Sequence, residues 1–415
     1  MNPTHVFPNI DGPRLLDSLQ MLGRFGALEG GGVNRLALSD ADRDARTWTI
    51  ARMRELGMAV TVDAIGNVIA LYPGLEDRPP VMTGSHIDTV RTGGLYDGNY
   101  GVLAGLEVVS TLKAAGLRTR RPIAVAFFTN EEGARFQPDM MGSLVYVGGL
   151  PLEAALETAD AEGATVGGEL GRIGFCGSAP VGSPLVDSFV ELHIEQGPVL
   201  DREGLQIGVV EGVQGISWTE FTFGGVSNHA GTTPMALRKD AGYCAARLTT
   251  YVRELAERFG GRQLATVGSL RLTPNLVNII PNRAVITVDL RNTDADALRQ
   301  AESDVLRFAA HVAEEQGVLC TQRSLARFDP VPFDAKVVAL VETAAARRGY
   351  SARRMPSGAG HDAQMLARVC PAGMIFVPSV GGLSHNVREF TEPDDLVRGT
   401  QLLLDVLVDL ADRPD

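Results

Sequence analysis

The chain has 415 residues, a formal net charge of −12 and 45% hydrophobic residues. This length is at the upper limit for one hydrophobic core, so two domains are expected. The acidic balance argues against nucleic acid or an anionic membrane as a partner, and no apolar run approaches the roughly 20 residues of a membrane span.

Cysteine usage and the N-terminal sequence both favour a cytoplasmic protein. The four cysteines are scattered and form no CxxC pair: Cys176, Cys244, Cys320 and Cys370. They indicate reduced thiols, with neither a disulfide framework nor a thiolate metal site. The N-terminal sequence MNPTHVFPNIDGPRLL lacks the basic segment and apolar run of a secretory signal.

The N-terminal part alternates between predicted helices and strands. Apolar residues at helical spacing predict a helix over 13–29, and a capped second helix ends at Gly57. Residues 59–74 predict a hairpin that turns at Gly66 and Asn67. A strand over 79–90, a helix over 101–116 and an apolar strand from 121 follow. This alternation indicates an α/β fold with a mostly parallel sheet.

The pattern changes near Gly212. Residues 150–184 predict a helix and a loop, and 189–200 predict another strand. Strands with helices over 237–259 and 294–317 then predict a self-contained α+β unit, and the helix and strand alternation resumes after Phe333. The predicted catalytic metal-binding domain therefore has two parts, 1–212 and 331–415, and residues 213–330 are an inserted domain.

Polar side chains gather where the predicted strands end. The stretch TGSHIDTVRTGGLYDGNY places His86 and Asp88 two residues apart on a strand, so both side chains point to one face. In that geometry the Asp88 carboxylate can hold one ring nitrogen of His86 and orient the other toward a metal. Asp97 ends the following glycine-rich loop, where it can turn back toward His86.

Six such residues on both flanks of the insertion are candidate metal ligands: His86, Asp97, Glu131, Glu132, His193 and His385. Each alone has an ordinary interpretation, as a solvated glutamate or a core histidine, but their shared position at strand ends favours a metal site. Nitrogen and carboxylate donors without thiolates suit zinc, manganese, cobalt or nickel.

Five of these residues can hold two divalent metal ions per subunit if Asp97 bridges the ions. His86 and His193 then bind one ion, and Glu132 and His385 bind the other. Glu131 is left to act as a general base. Two ions about 3.5–4 Å apart share a water, lower its pKa and polarise the carbonyl under attack.

A series of motifs resembles the hydantoinase/carbamoylase amidases. They run in order from about residue 83 to 390: GSHIDTV with GGLYDGNYGVLAGLE, FFTNEEGARF, ELHIEQGPVL, SNHAGTTPM, VNIIPNRAVITVDLRN, GAGHDA and PSVGGLSHNVRE. That family comprises dinuclear-metal hydrolases acting on N-carbamoyl-L-amino acids, allantoate or β-ureidopropionate. The resemblance implies the same ligands, Glu131 as catalytic base, and an inserted domain that is both a lid and a homodimer interface. Histidine at 193, where related peptidases carry a carboxylate, favours the carbamoyl branch.

The same resemblance implies a small substrate with a ureido group and a carboxylate. Arg291 can clamp that carboxylate bidentately, with Asn278 placed to donate nearby. By resemblance, His229 stabilises the developing oxyanion and reaches the neighbouring subunit's site. Gln196 and His361 are further candidates for contacting the substrate. A strand-end ion pair for Arg291 and a turn role for Asn278 stay open.

Trp218 bears on the choice of substrate. It lies eleven residues before His229, where by resemblance allantoate enzymes carry a basic residue and carbamoylases carry tryptophan. An aromatic side chain cannot pair with a second acidic arm, although Trp218 could simply pack in the sheet. Hydrolysis of N-carbamoyl-L-amino acids to the L-amino acid, ammonia and carbon dioxide is therefore expected. The alternatives are the same chemistry on allantoate, β-ureidopropionate or N-acyl-amino acids, and a non-catalytic metal-binding protein.

Overall fold

A computed structural model describes residues 8–413, and the chain divides into two compact units. One, here called the discontinuous unit, comprises the segments up to Gly212 and from Phe333 onward. The other, the inserted unit, comprises Val213–Pro332. The N-terminal sequence inspected for a secretory signal begins outside the described residues.

The described residues form thirteen strands and twelve α-helices. The strands are β1 (Ala59–Val62), β2 (Val68–Tyr72), β3 (Val81–His86), β4 (Ile123–Phe128), β5 (Ser188–Ile194), β6 (Ile207–Val213), β7 (Gly215–Gly224), β8 (Leu264–Thr273), β9 (Arg283–Asn292), β10 (Leu319–Phe328), β11 (Val331–Pro332), β12 (Ala352–Ser357) and β13 (Ala372–Val377). The helices are α1 (Gly12–Leu22), α2 (Asp40–Glu55), α3 (Asn99–Ala114), α4 (Met141–Tyr146), α5 (Leu152–Glu157), α6 (Val166–Ile173), α7 (Val199–Glu203), α8 (Ala241–Phe259), α9 (Ala295–Glu315), α10 (Ala335–Arg347), α11 (Asp362–Leu366) and α12 (Pro393–Ala411). Within residues 8–413, none of the helices combines the length and the apolar character that crossing a bilayer requires.

One sheet organises the discontinuous unit. Its strands follow the order β1, β2, β4, β3, β5, β13, β6, and β12 also pairs with β6. The central strands β4, β3, β5 and β13 are parallel and buried throughout, which explains their continuous apolar sequences. The flanking pairs β1–β2, β2–β4 and β13–β6 are antiparallel. The predicted α/β class with a mostly parallel central sheet is confirmed.

The carboxyl ends of the central strands bring distant parts of the chain together. β3 ends at His86, which pairs with Phe128 at the end of β4, and Glu131 follows shortly after. β5 ends at Ile194, which pairs with Val377 at the end of β13. Because parallel strands end at the same edge of a sheet, functional groups collect there.

The first helix is shorter than the sequence predicts. α1 ends at Leu22, whereas the apolar spacing predicts a helix over 13–29. Gly26 has a φ of 83°, and a Cβ at that position would lie 2.4 Å from the carbonyl oxygen of Asn34. The chain therefore turns back on itself after α1, and only glycine allows this close approach.

The inserted unit has its own core. Its strands follow the order β10, β7, β9, β8 and are all antiparallel, and α8 and α9 cover one face. Phe221, Ile286 and Leu248 belong to the core between the sheet and these helices. Since side chains alternate along a strand, Trp218 and Arg291 lie on the opposite face.

Candidate metal centre

His86 ends β3 with a fixed ring tautomer. Its Nδ1 lies 2.9 Å from the backbone carbonyl oxygen of Asp88, which can only accept, so Nδ1 carries a proton and donates it. In the neutral ring, Nε2 then carries the lone pair that a metal requires. Nε2 lies 3.7 Å from Oδ1 of Asp97 and 3.4 Å from Oε2 of Glu131. Gly98 makes room for the ring, because a Cβ there would lie 2.3 Å from it.

The Asp88 carboxylate does not hold the His86 ring, and this sequence interpretation is wrong. Its Oδ1 lies 3.9 Å from Nδ1 of His86. Instead, Oδ1 accepts the backbone N–H of Glu131 and Oδ2 accepts that of Glu132, each at 3.3 Å. Because the carboxylate is turned toward these amides, the Asp88 carbonyl oxygen receives the ring proton. Asp88 therefore orients the two glutamates.

His193 and Asp97 face each other in the buried interior. Nδ1 of His193 lies 2.9 Å from the carbonyl oxygen of Ile194 and donates to it. Its Nε2 accepts the backbone N–H of Gly98 at 3.1 Å and lies 3.3 Å from Oδ1 of Asp97. His86, Asp97 and His193 thus form one donor group, with ligand atoms within 4.8 Å of one another.

A second donor group shares Asp97 with the first. Oδ2 of Asp97 lies 3.2 Å from Nε2 of His385, and that nitrogen lies 3.3 Å from Oε2 of Glu132. The ligand atoms of this group also lie within 4.8 Å of one another. Unlike the buried His86, the His385 side chain is 52% exposed, and its φ of 52° places it in a turn. Its position therefore depends on what holds that turn.

These donors fit divalent cations. A neutral His86 turns a lone pair toward the Asp97 carboxylate, and two acceptors at that range need a cation or a proton between them. Burial opposes protonation of His86, but the Asp88, Glu132 and Asp97 carboxylates outweigh it and raise its pKa to about 9. Hydrogen bonds with Asp97 and Glu132 raise the pKa of His385 to about 11. Positive charge is therefore favoured where nitrogen and carboxylate donors converge, as zinc-type ions require.

A third donor group lies beside the first two: Glu191, His193 and His361. Oε1 of Glu191 accepts the Ser85 hydroxyl at 2.5 Å, and Oε2 accepts the backbone N–H of Ala363 at 2.8 Å. Nε2 of His361 lies 2.8 Å from the Ser357 hydroxyl. Protein groups therefore already hold both the Glu191 and the His361 side chains.

Glu131 lies next to the shared centre without completing either group. Its side chain is buried, and desolvation together with the Asp362 and Glu132 carboxylates raises its pKa well above its ordinary value. Its backbone is held on both sides, because the carbonyl oxygen accepts the N–H of Met140 at 2.7 Å and the N–H donates to Asp88. A fixed, buried carboxyl with a raised pKa is suited to general acid and base chemistry.

A cavity of about 110 Å³ opens on these side chains. Gln196 and His361, the two further candidates for contacting the substrate, both line it. Nε2 of Gln196 donates to Oδ2 of Asp97 at 3.0 Å and to the Ser384 hydroxyl at 3.2 Å. Ligand sites usually enclose about 300–1,000 Å³, so this cavity suits metal ions and a reacting group rather than a whole substrate.

Three polar residues near the centre were not predicted: Asp139, Ser384 and Glu389. Asp139 lines the cavity and follows a loop whose path the sequence does not indicate. Ser384 and Glu389 belong to the same motif as His385, PSVGGLSHNVRE. Their closeness to His385 in the sequence is the feature from which they could have been predicted.

Two predicted residues of the inserted unit lie on adjacent loops. The backbone N–H of Ala230 donates to the carbonyl oxygen of Asn278 at 2.9 Å, and His229 forms a β-bridge with Ile279. Both His229 and Asn278 are exposed. Nδ1 of His229 accepts the N–H of Gly231 at 3.0 Å, so the proton of the neutral ring is on Nε2. An exposed N–H donor of this kind can stabilise an oxyanion.

Arg291 lies at the other end of the same sheet. β9 starts at Arg283, just after the Asn278 loop, and Arg291 is eight residues further along. This separation is about 27 Å along an antiparallel strand. Nε and Nη2 of Arg291 donate to the Asp289 carboxylate at 3.0–3.1 Å. The sequence predicted that Asn278 lies near Arg291. Within one copy of the unit, the two residues lie at opposite ends of the sheet instead.

Known proteins match the chain over nearly its whole length. Residues 82–409 match the model of peptidase family M20/M25/M40. An N-carbamoyl-L-amino-acid amidohydrolase of Rhizobium meliloti is 41% identical over 404 residues, 97% of either chain. The chain belongs to the M20/M25/M40 family. This M20 protein is also 34% identical to an allantoate amidohydrolase of Bacillus subtilis (strain 168), over 96% of its own length and 97% of the relative.

Solved structures narrow the family assignment. A hydantoinase/carbamoylase family amidase from Burkholderia multivorans matches with a TM-score of 0.96 and 43% identity, covering 98% of this chain and 99% of that one. The predicted membership of the hydantoinase/carbamoylase amidases is confirmed. This M20 protein is a divalent-metal-dependent amidohydrolase that acts on carbon–nitrogen bonds other than peptide bonds.

Proposed function

We propose that this amidohydrolase cleaves N-carbamoyl-L-amino acids to the L-amino acid, ammonia and carbon dioxide, using two divalent metal ions per subunit. The observation that carries the proposal is the pair of donor groups sharing Asp97, with the buried Glu131 beside them. The 41% identity to the Rhizobium meliloti N-carbamoyl-L-amino-acid amidohydrolase supports the substrate class.

Five residues hold the metal ions in this proposal. Asp97 would be shared by both ions, with His86 and His193 completing one donor group and Glu132 and His385 completing the other. Zinc, manganese, cobalt and nickel all suit these nitrogen and oxygen donors. When bound, the ions supply Lewis acidity, which acidifies a water and polarises the carbonyl under attack.

Glu131 moves the proton. Its carboxylate takes a proton from the attacking water, whose oxygen then bonds to the carbamoyl carbon. Protonated Glu131 gives the proton to the nitrogen of the amino acid as the carbon–nitrogen bond breaks. The carbamate that is released decomposes to ammonia and carbon dioxide. The raised pKa of Glu131 supports this role, because the same group must both take and give a proton.

Substrate binding requires residues from two copies of the chain. Arg291 binds the substrate carboxylate, and Gln196 and His361 contact the ureido group or the carboxylate. His229 and Asn278 lie at the opposite end of the inserted sheet from Arg291, so one copy cannot bring all three to one small substrate. This separation supports a homodimer in which the inserted unit forms the interface and His229 and Asn278 act at the partner's site.

Trp218 favours the N-carbamoyl substrate over allantoate. It is 40% exposed and pairs across the strands with Asp289, two residues before Arg291. A tryptophan next to the proposed carboxylate site offers apolar surface rather than a second positive charge. Allantoate remains the second candidate because of the 34% identity to an allantoate amidohydrolase.

We also place the activity in the cytoplasm. The four cysteines are free thiols in the structure, and two of them, Cys244 and Cys370, are buried. This usage fits a reducing compartment.

The proposal is tested by metal analysis followed by a substrate panel. The protein is stripped of metal, reloaded with zinc, manganese, cobalt or nickel, and given N-carbamoyl-L-amino acids, allantoate, β-ureidopropionate and N-acyl-L-amino acids. Faster turnover of N-carbamoyl-L-amino acids is expected with at least one metal. Faster turnover of another compound in the panel would identify that compound as the substrate instead. Binding of metal without any hydrolysis would mean a non-catalytic metal-binding protein.

A further inference from the structure

We propose that Glu389 is a positioning residue that holds the Asp97 backbone and the His385 turn together, and thereby sets the affinity for the metal ion on the His385 side. The inference rests on the proposed two-ion site. Glu389 belongs to neither donor group.

The Glu389 carboxylate joins two segments that are far apart in the chain. Its Oε1 accepts the backbone N–H groups of Tyr96 at 3.1 Å and of Asp97 at 3.2 Å. Its Oε2 accepts the Ser384 hydroxyl at 2.9 Å. The loop that precedes α3 and the turn that follows β13 are therefore held by one side chain.

The surroundings of Glu389 fix its orientation. The residue is 5% exposed, and the loop backbone packs directly on it, because a Cβ at Gly94 would lie 2.0 Å from Oε1. Its three donors are two backbone amides and one hydroxyl, so both oxygens are engaged. A buried carboxylate held in this way can orient neighbouring ligands without binding the metal itself.

Loss of Glu389 is expected to weaken the binding of the ion on the His385 side more than that of the other ion. His86 and His193 are buried residues of central strands, and those strands fix their positions. His385 is half exposed in a turn, and its neighbour Ser384 lies between Glu389 and Oδ2 of Asp97, 3.4 Å from that oxygen. Loss of Glu389 releases this turn and loosens the Asp97 backbone, while His86 and His193 stay in place, so the ion on the His385 side loses more of its support.

The test compares wild type with Glu389→Ala and Glu389→Gln, and uses Glu392→Gln, an exposed glutamate three residues away, as the control. Metal content after dialysis and competition with a chelator give the stoichiometry and both affinities, and the melting temperature of the metal-free protein reports on stability. In Glu389→Ala, we expect the ion on the His385 side to lose about 10–100-fold in affinity, the loss typical of residues that orient metal ligands, while the other ion loses less. Glu389→Gln keeps an oxygen for the two amides and should lie between Ala and wild type, and added metal should restore turnover in both variants.

Two results would overturn the inference. One is wild-type affinity for both ions in the two Glu389 variants. If the melting temperature is lower as well, Glu389 is a stability residue only. The other is equal weakening of both ions. If Glu389→Ala fails to fold, Glu389→Gln alone decides. Wild-type stoichiometry is a separate readout, since fewer than two ions there would count against the proposed function and not against the role of Glu389 in holding the turn.

Discussion

Oδ2 of Asp97 lies 3.2 Å from Nε2 of His385, although the two residues are almost three hundred positions apart in the chain. The other oxygen of the same carboxylate faces His193 at 3.3 Å. The two proposed metal ions therefore depend on a single side chain.

Replacing Asp97 by asparagine should release both ions. The asparagine side chain has the same size but lacks one of the two anionic oxygens, so it could no longer serve both donor groups. We expect at least a hundred-fold weaker metal binding, since even residues that only orient ligands contribute about 10–100-fold. Metal content after dialysis is the measurement, with the exposed Asp44→Asn as control. Retention of two ions in Asp97→Asn would contradict the bridging role.

Replacing Glu131 by glutamine should separate catalysis from metal binding. The amide cannot accept the proton of water, and general-base catalysis contributes roughly 10²–10⁴-fold. We therefore expect kcat to fall by about that factor while both ions stay bound. The exposed Glu153→Gln is the control for a change of one charge. Full activity in Glu131→Gln would end its assignment as the base.

Subunit mixing tests whether the active site is shared between two copies. Arg291→Met and Asn278→Ala should each reduce activity strongly as pure proteins. In a mixed dimer with two-fold symmetry, one site would combine the intact Arg291 of one chain with the intact Asn278 of the other. Random mixing should then restore about a quarter of wild-type activity, since half of the dimers are mixed and each has one intact site. No recovery after demonstrated subunit exchange would mean that each site takes both residues from the same chain.

Asp63 should make folding stability depend on pH. Burial raises its pKa from 3.8 to about 6, although hydrogen bonds from Asn67 and Ile65 lower the pKa in part. Because the folded state holds this proton more tightly than the unfolded state, the contribution of Asp63 to stability is full below pH 3.8 and is lost as pH rises to about 6.

Urea unfolding of wild type and Asp63→Asn at several pH values measures this effect. The difference in unfolding free energy should move in favour of the variant by about 2 kcal/mol between pH 4 and 7. Asn67 matters to the site because its Oδ1 accepts the backbone N–H of Thr129, two residues before Glu131. A pH-independent difference, or one of opposite sign, would contradict the account.

Sequence reasoning located the residues whose environment is set by local pattern. His86 is the last residue of one apolar strand and His193 is the last but one of another, so both could be found, because buried parallel strands bring their ends to one edge. The fold class followed from the alternation of predicted helices and strands along the chain. The end of α1 was missed because Gly26 adopts its φ of 83° in response to contacts with a segment further along the chain.

Roles that depend on a choice between two partners could not be read from the sequence. Asp88 can bond to His86 through its carboxylate or its carbonyl oxygen, and only the position of the Glu131 and Glu132 amides decides between them. Asn278 and Arg291 are close in sequence, yet a whole strand separates them in space. Glu389 stands four residues after His385, but two of its three hydrogen-bond donors lie in a loop almost three hundred residues earlier.

Crystals grown with excess zinc and measured at the zinc absorption edge test the central claim most directly. Two anomalous peaks should appear in each subunit, both in contact with Asp97. One should lie between His86 and His193, and the other between Glu132 and His385. A single peak, or two peaks that do not share Asp97, would contradict the account.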